Sequence, residues 1–427
     1  MPETLTLVRP KAGFVPATTE LNYAISADLP TVSALADHLG LLDGGLATES
    51  DLEVNLSRGD SPVLHNSWPG AGYWIRDSEL ISAHRDRAAG SDTRLLALSF
   101  LEISSPVITL TSSGIRSVAD LRGKRLGIAT TRDGFRDLGY AQQLKAYTTA
   151  LSTEGLTLHD IRFVPFDRDK SDPAVIRTKE DKLEAARVIG KEIAERLQRH
   201  EFDALVVESA SDVAHHASVR ILYDTVEHPD FLARAHTESL RGIVVSGELL
   251  RERRSVVVRV LARLLQAADW ANARPKEAAK ALAGSFAGNF DELAGRYQNL
   301  SEGLQINLGV EKILSLKAQK ILLLRHRLIA RDFDVDAWVD HGPLVEAHLL
   351  YAAWKRAAAA GEELRRSGAG SEAAGASAFP NTTWERGAAV AVDRRATGSL
   401  TIRNRVRVEI ALLAPRPAVA GYHGREA

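Results

Sequence analysis

Cysteine is absent from the 427 residues. Its absence excludes disulfides, thiolate metal sites and a cysteine nucleophile together. Excess charge is missing too: Lys+Arg is 54 and Asp+Glu is 55, so the formal net charge is 54 − 55 = −1. A near-neutral total argues against a dedicated nucleic-acid binder, which would show a basic patch or stripe. No segment reaches the ~20 apolar residues of a membrane span, so membrane insertion is not expected. The opening stretch, MPETLTLVRPKAGFVPATT, has Glu3 early and no apolar run. It lacks the basic start and the apolar stretch of ~7–15 residues that mark a secretory signal, and a cytoplasmic location is the expectation. No repeat of solenoid length is visible.

What is present is an ordinary globular composition, 45% apolar and 26% charged, on a chain long enough for two domains with separate cores. ELNYAISADLP is extended and then turns. TVSALADHLGLLDGG reads as a helix, with Leu35, Leu39 and Leu42 on one stripe and Gly44-Gly45 as its stop. LEVNL alternates as a strand. From Ser57 to Tyr73 the chain is rich in Pro, Gly and Trp, a loop of the kind that carries binding residues. TRLLALSFLE and SPVITLT are strand-like. RLGIA, LHDIRFVPFD and FDALVVES are further strands, separated by helical stretches, and this β/α alternation predicts a parallel sheet with crossover helices. RGIVVSGELL is one more strand. Beyond it the pattern is helical to about Lys355. Residues 360–378 read as an Ala/Gly/Ser linker and the remainder as a disordered or loosely docked tail.

The run SVADLRGKRLGIATT resembles the helix and cleft strand of nitrate/sulfonate/taurine-type substrate-binding proteins. There a Gly-Lys pair precedes the strand and the next turn offers backbone N–H groups to an anion. WANARPKEAAKALA is similar to the segment of the same superfamily in which a Pro begins a late helix. Over most of residues 20–350 the chain is similar to the aryl sulfinate desulfinase family, cytoplasmic enzymes on this fold. NYAISADLP, VLHNSWPGAGYWIRD, TRLLALSFLEISSPVITLTSSGIRSVADLRGKRLGIA and the late helices ending in FDVDAWV carry the resemblance. It implies an α/β, two-lobed fold of periplasmic-binding-protein type II with a mostly helical C-terminal part. Lobe one would be residues 17–112 plus 242–360, lobe two residues 113–241, and residues 361–427 a linker and tail. The hinge is expected at SPVITLTS and RGIVVSG.

The resemblance also implies site residues. Ser26 stands in the place of the family's cysteine, His65 in that of its histidine, and Arg76, across a one-residue gap, in that of its arginine. Two departures bear on desulfination: the serine itself, and Asp77 and Ser78 where the family has glycines that let N–H groups reach a sulfinate. Arg76 has a planar fork suited to two oxygens of one anion, or it pairs with Asp77 or Glu79. His65 shares its loop with Trp68, Tyr73 and Trp74, aromatics that suit a flat ligand, and a histidine there can move a proton near neutral pH. Ser26 either caps the helix beginning near Thr31 or works with a base. Thr130, Thr131 and Arg132 lie where a strand meets a helix N-terminus, a natural anion site. Glu208 and Ser209 end a strand at the carboxyl edge where such sheets bind ligands. His215 and His216 are adjacent and cannot share a helix face, so no metal is expected there; no cofactor is expected either.

Three readings follow. The first is a desulfinase-like enzyme acting on a small anionic ligand, an aromatic sulfinate, sulfonate or carboxylate. The second is a non-catalytic solute-binding protein for a sulfonate- or nitrate-like anion, whose further partner would be a transporter permease. The third is a biosynthetic enzyme on the same fold.

Overall fold

The computed structural model describes residues 20–26, 30–42, 52–58, 72–130, 138–167, 179–207, 210–235, 239–285 and 300–366, and all of them fall in one compact unit. Two five-stranded sheets organise it. The first has the order β2-β1-β3-β10-β4, built from Glu20–Ile25 (β1), Glu53–Arg58 (β2), Tyr73–Glu79 (β3), Thr93–Phe100 (β4) and Leu240–Ser246 (β10). β1 runs parallel to β2 and β3, and β10 is antiparallel to both β3 and β4. The second has the order β7-β6-β8-β5-β9, from Pro106–Leu110 (β5), Arg125–Thr130 (β6), Arg162–Asp167 (β7), Ala204–Val206 (β8) and Val219–Asp224 (β9). β6 is parallel to β7 and β8, while β5 is antiparallel to β8 and β9.

Alternation along the strands decides what each face packs on. Leu21, Tyr23 and Ile25 of β1, Tyr73 and Ile75 of β3, and Ile243 and Val245 of β10 enter one core. Helices α1 (Val32–His38), α6 (Arg254–Ala273), α7 (Pro275–Ser285) and α9 (Gly342–Arg366) supply its other side. The opposite face puts Trp74, Leu95, Leu98 and Val244 against Trp338 and against Leu316 of α8 (Val310–Arg325). Other helices include α2 (Ile81–Ala89), α3 (Leu138–Ser152), α4 (Lys179–Gln198) and α5 (Gly247–Glu252). The second sheet buries Val107, Leu126 and Val206 under α3, and Ile108, Phe166 and Leu205 under α4. Ala141 of α3 packs with Leu323 of α8 and Ile81 of α2, joining the two cores.

Three expectations need correcting. The helix after β1 stops at Gly40, which has φ +67°, rather than at Gly44-Gly45; a left-handed position is one that glycine adopts without a Cβ penalty. The runs SPVITLTS and RGIVVSG are not crossings. They hold β5 and β10, fully buried strands paired within their own sheets. The chain crosses at residues 101–105 and returns between β9 and β10. Finally, α9 runs on through GEELRR to Arg366 into the stretch read as linker, because Glu, Leu and Arg favour helix over the neighbouring Gly and Ser.

Candidate anion-binding site

β1 ends at Ile25, and the next residue, Ser26, is buried and donates its N–H to the Asp77 carbonyl at 3.1 Å. Asp77 lies opposite Ile25 on β3. Its carboxylate accepts from the Ser33 N–H at 3.1 Å, and Thr31 caps the same helix by accepting from the Ala34 N–H at 3.0 Å. Ser33 and the Tyr23 hydroxyl share a hydrogen bond of 2.5 Å. The start of α1 is therefore satisfied from within the protein, with a carboxylate occupying the place an external anion would take. Burial pushes the Asp77 carboxyl up, and the bonds from Ser33 and the charge of Arg241 partly offset it. Burial and the nearby Asp77 push the Tyr23 hydroxyl well up.

Arg76, one residue away, points to the other face of β3. It is buried and bonds Asp86 of α2 at 2.8 Å. In this position it fastens α2 to the sheet. Glu79, also buried, accepts from the Ile81 N–H at 2.6 Å and the Ser82 hydroxyl at 3.0 Å. The charges of YWIRDSE are thus spent on the starts of two helices and on one internal ion pair.

Tyr73 donates to Glu252 of α5 at 2.6 Å, and burial followed by that bond raises its hydroxyl. Trp74 is half-buried against the second core. Thr130 closes β6 and donates to the Phe166 carbonyl at 3.2 Å. His65, Trp68, Thr131, Arg132, Glu208 and Ser209 lie outside the described residues. Among the described residues no group of three His, Cys, Asp or Glu could hold a metal ion. None of the described helices is long and apolar enough to cross a membrane.

Sequence reasoning missed Arg241. It sits in β10 opposite both Glu79 and Ser99, on the face shared with Asp77. It is 0% exposed, and none of its three guanidinium nitrogens has a hydrogen-bond partner among the described residues. Ser239, two residues earlier and also 0% exposed, has its hydroxyl in the same condition. The available signal was one arginine inside the otherwise apolar LRGIVVS.

Two mixed sheets with the same strand order, covered by helices, define an α/β protein of the periplasmic-binding-protein type. The NMT1/THI5-like family profile matches residues 78–278. Among solved structures, the desulfurization enzyme DSZB is similar with a TM-score of 0.58 and 17% identity, covering 78% of this chain and 99% of that one. The periplasmic aliphatic sulphonate binding protein SsuA from Escherichia coli follows with 0.54 and 15%, covering 76% and 93%. A sulfonate-binding protein of a putative transporter from Methylobacillus flagellatus gives 0.57 and 12%, covering 79% and 96%. At these identities the likeness is one of fold. No curated protein matches the chain by sequence.

Proposed function

We propose that the chain binds a small organic anion, a sulfonate, sulfinate or carboxylate, between the carboxyl edges of its two sheets, and holds it without cleaving it. The observation that carries this reading is the pair of matching switch points. β1 lies between β2 and β3, and β6 between β7 and β8. Open α/β sheets bind ligands in the crevice beyond the carboxyl ends at such points. Ser26 follows β1 and Thr130 ends β6 at these two places. The first sheet with the late helices would form one lobe and the second sheet the other, and closure would bury the ligand from water.

The ligand class is supported by relatives of the same fold. Two of them are sulfonate-binding proteins, and a cysteine-to-serine mutant of DSZB was solved in complex with biphenyl-2-sulfinic acid. Ser26 occupies the position where the resembling family has cysteine, and a serine hydroxyl without an adjacent base is a weak nucleophile. A transporter permease is the partner this reading implies. Calorimetric titration with ethanesulfonate, benzenesulfonate, benzenesulfinate and benzoate tests it, with sulfite release followed in parallel. Saturable binding without sulfite is expected. Failure to bind any of the four removes the reading.

A second reading, a desulfinase-like cytoplasmic enzyme, is favoured by the extent of the DSZB match, which covers 99% of that chain. It assigns chemistry to Ser26 and His65. Wild-type release of sulfite from benzenesulfinate would favour it over pure binding. Release only after Ser26→Cys would mark the chain as a relative whose chemistry ended with the thiol, since a thiolate forms far more readily than an alkoxide.

A further inference from the structure

We propose that Arg241 and Ser239 form the subsite that holds the ligand's charged head, an assignment that rests on the anion reading above. A buried ion whose hydrogen-bonding groups are left unmatched is strongly unfavourable even with an opposite charge nearby. Proteins keep such a group where something else completes it. Arg241 is fully buried with all three guanidinium nitrogens open among the described residues, and the Ser239 hydroxyl beside it is open as well.

The surrounding carboxylates are already engaged. Glu79, directly opposite on β3, is bound by the Ile81 N–H and the Ser82 hydroxyl. Asp77, on the same face, is bound by Ser33 and acts on Arg241 through charge rather than a hydrogen bond. The alternatives for an anion anchor are taken too: Arg76 faces away and pairs with Asp86, and the start of α1 is capped from inside. What remains is a planar fork plus one hydroxyl at the carboxyl end of β3. Two oxygens of a sulfonate, sulfinate or carboxylate fit the fork side by side, and a third oxygen or the second lone pair of one of them can accept from Ser239. The fork selects a flat or tetrahedral oxyanion over a spherical halide.

The test compares wild type, Arg241→Met, Arg241→Lys and Ser239→Ala, using benzenesulfinate, ethanesulfonate and sulfate as probes. Two quantities are read: the dissociation constant and the melting temperature without ligand. Arg241→Met should bind at least about 30-fold more weakly, as expected for loss of a buried charged partner, while its unliganded melt should stay near wild type, because the cost of burying a guanidinium without hydrogen bonds offsets the attraction to Asp77 that is lost with it. Arg241→Lys keeps charge without the fork and should fall between. Ser239→Ala should weaken binding several-fold with its melt unchanged. Unaltered affinity in Arg241→Met overturns the assignment. So does an unliganded melt of that variant well below wild type, which would make Arg241 a structural cation whether or not any probe binds. Wild type binding none of the probes is a different failure, that of the ligand reading itself, and is seen before any variant is compared.

Discussion

Arg76 and Asp77 are neighbours on β3 with opposite electrostatic fates. Arg76 gains a buried carboxylate at 2.8 Å, and removing one member of such a pair strands the other. Arg76→Ala should therefore destabilise the protein by about 3–5 kcal/mol, whereas replacing both Arg76 and Asp86 by apolar residues of similar volume should recover most of that loss. Denaturant midpoints for the single and double variants decide it; a single variant as stable as wild type would mean the pair contributes nothing. Asp77 is different, because burial raises its carboxyl. A raised value means that the folded protein holds the proton more tightly than the unfolded chain. The linked stability is complete below the unfolded value and is lost as pH rises through the folded one. Asp77→Asn keeps an acceptor for Ser33 and cannot ionise. Its melting temperature relative to wild type should rise as pH climbs above the ordinary carboxylate value of ~4 and level off once the folded carboxyl has ionised. A variant that loses ground on wild type over this range would show that Arg241 and the start of α1 outweigh the burial.

At the scale of elements, β10 is the strand on which the site depends, since it passes between β3 and β4 and carries both Arg241 and Gly242. A Cβ at Gly242 would meet Leu80 Cδ2 at 2.5 Å and Leu95 Cδ1 at 2.8 Å. Gly242→Ala should cost about 1–3 kcal/mol through overpacking, read as a lower denaturant midpoint with an unchanged slope. β10 was legible in advance because LRGIVVS is an apolar run, and so were β1, β4, β5 and β6. β3 was not. YWIRDSE ends in four polar residues, which in a sequence signal a surface turn, yet Arg76, Asp77, Ser78 and Glu79 are all buried. Their partners Asp86, Ser33, Ile81 and Ser82 come from two different helices, and no local pattern announces such pairing. For the same reason Arg76 read as an anion anchor: its type fits that role, and only the face of β3 on which it lies gives it another. Arg241 escaped notice because a lone arginine at the head of an apolar strand reads as an edge residue.

At the scale of the whole molecule, the two sheets can act as lobes only through the two stretches that join them, and Asp224 braces both. It ends β9 and accepts from the Ser105 N–H at 3.0 Å and from the Ser104 hydroxyl, holding residues 101–105 against the start of the return stretch. The same carboxylate accepts from the Val226 N–H at 3.4 Å. Nearby, Arg234 bonds Glu102 at 3.1 Å and the His228 carbonyl at 2.9 Å, tying the return to the outward crossing a second time. The Arg234–Glu102 pair is partly exposed, about a quarter on each side chain, and pairs of that kind contribute ~0–1 kcal/mol. Asp224 does more, because Ser105 is buried and its N–H would be left without an acceptor. Asp224→Ala should therefore cost about 1–3 kcal/mol, and the loss should be local. The Ser105 amide should exchange with solvent faster, while amides in the centres of β1 and β6 keep their protection. Ligand affinity should fall as well, since ordering of the loosened crossings is then paid on binding rather than beforehand. Glu102→Ala, by contrast, should change the melting temperature little. Equal exchange at Ser105 in wild type and Asp224→Ala would show that the crossings are held by the packing of the sheets and not by this carboxylate.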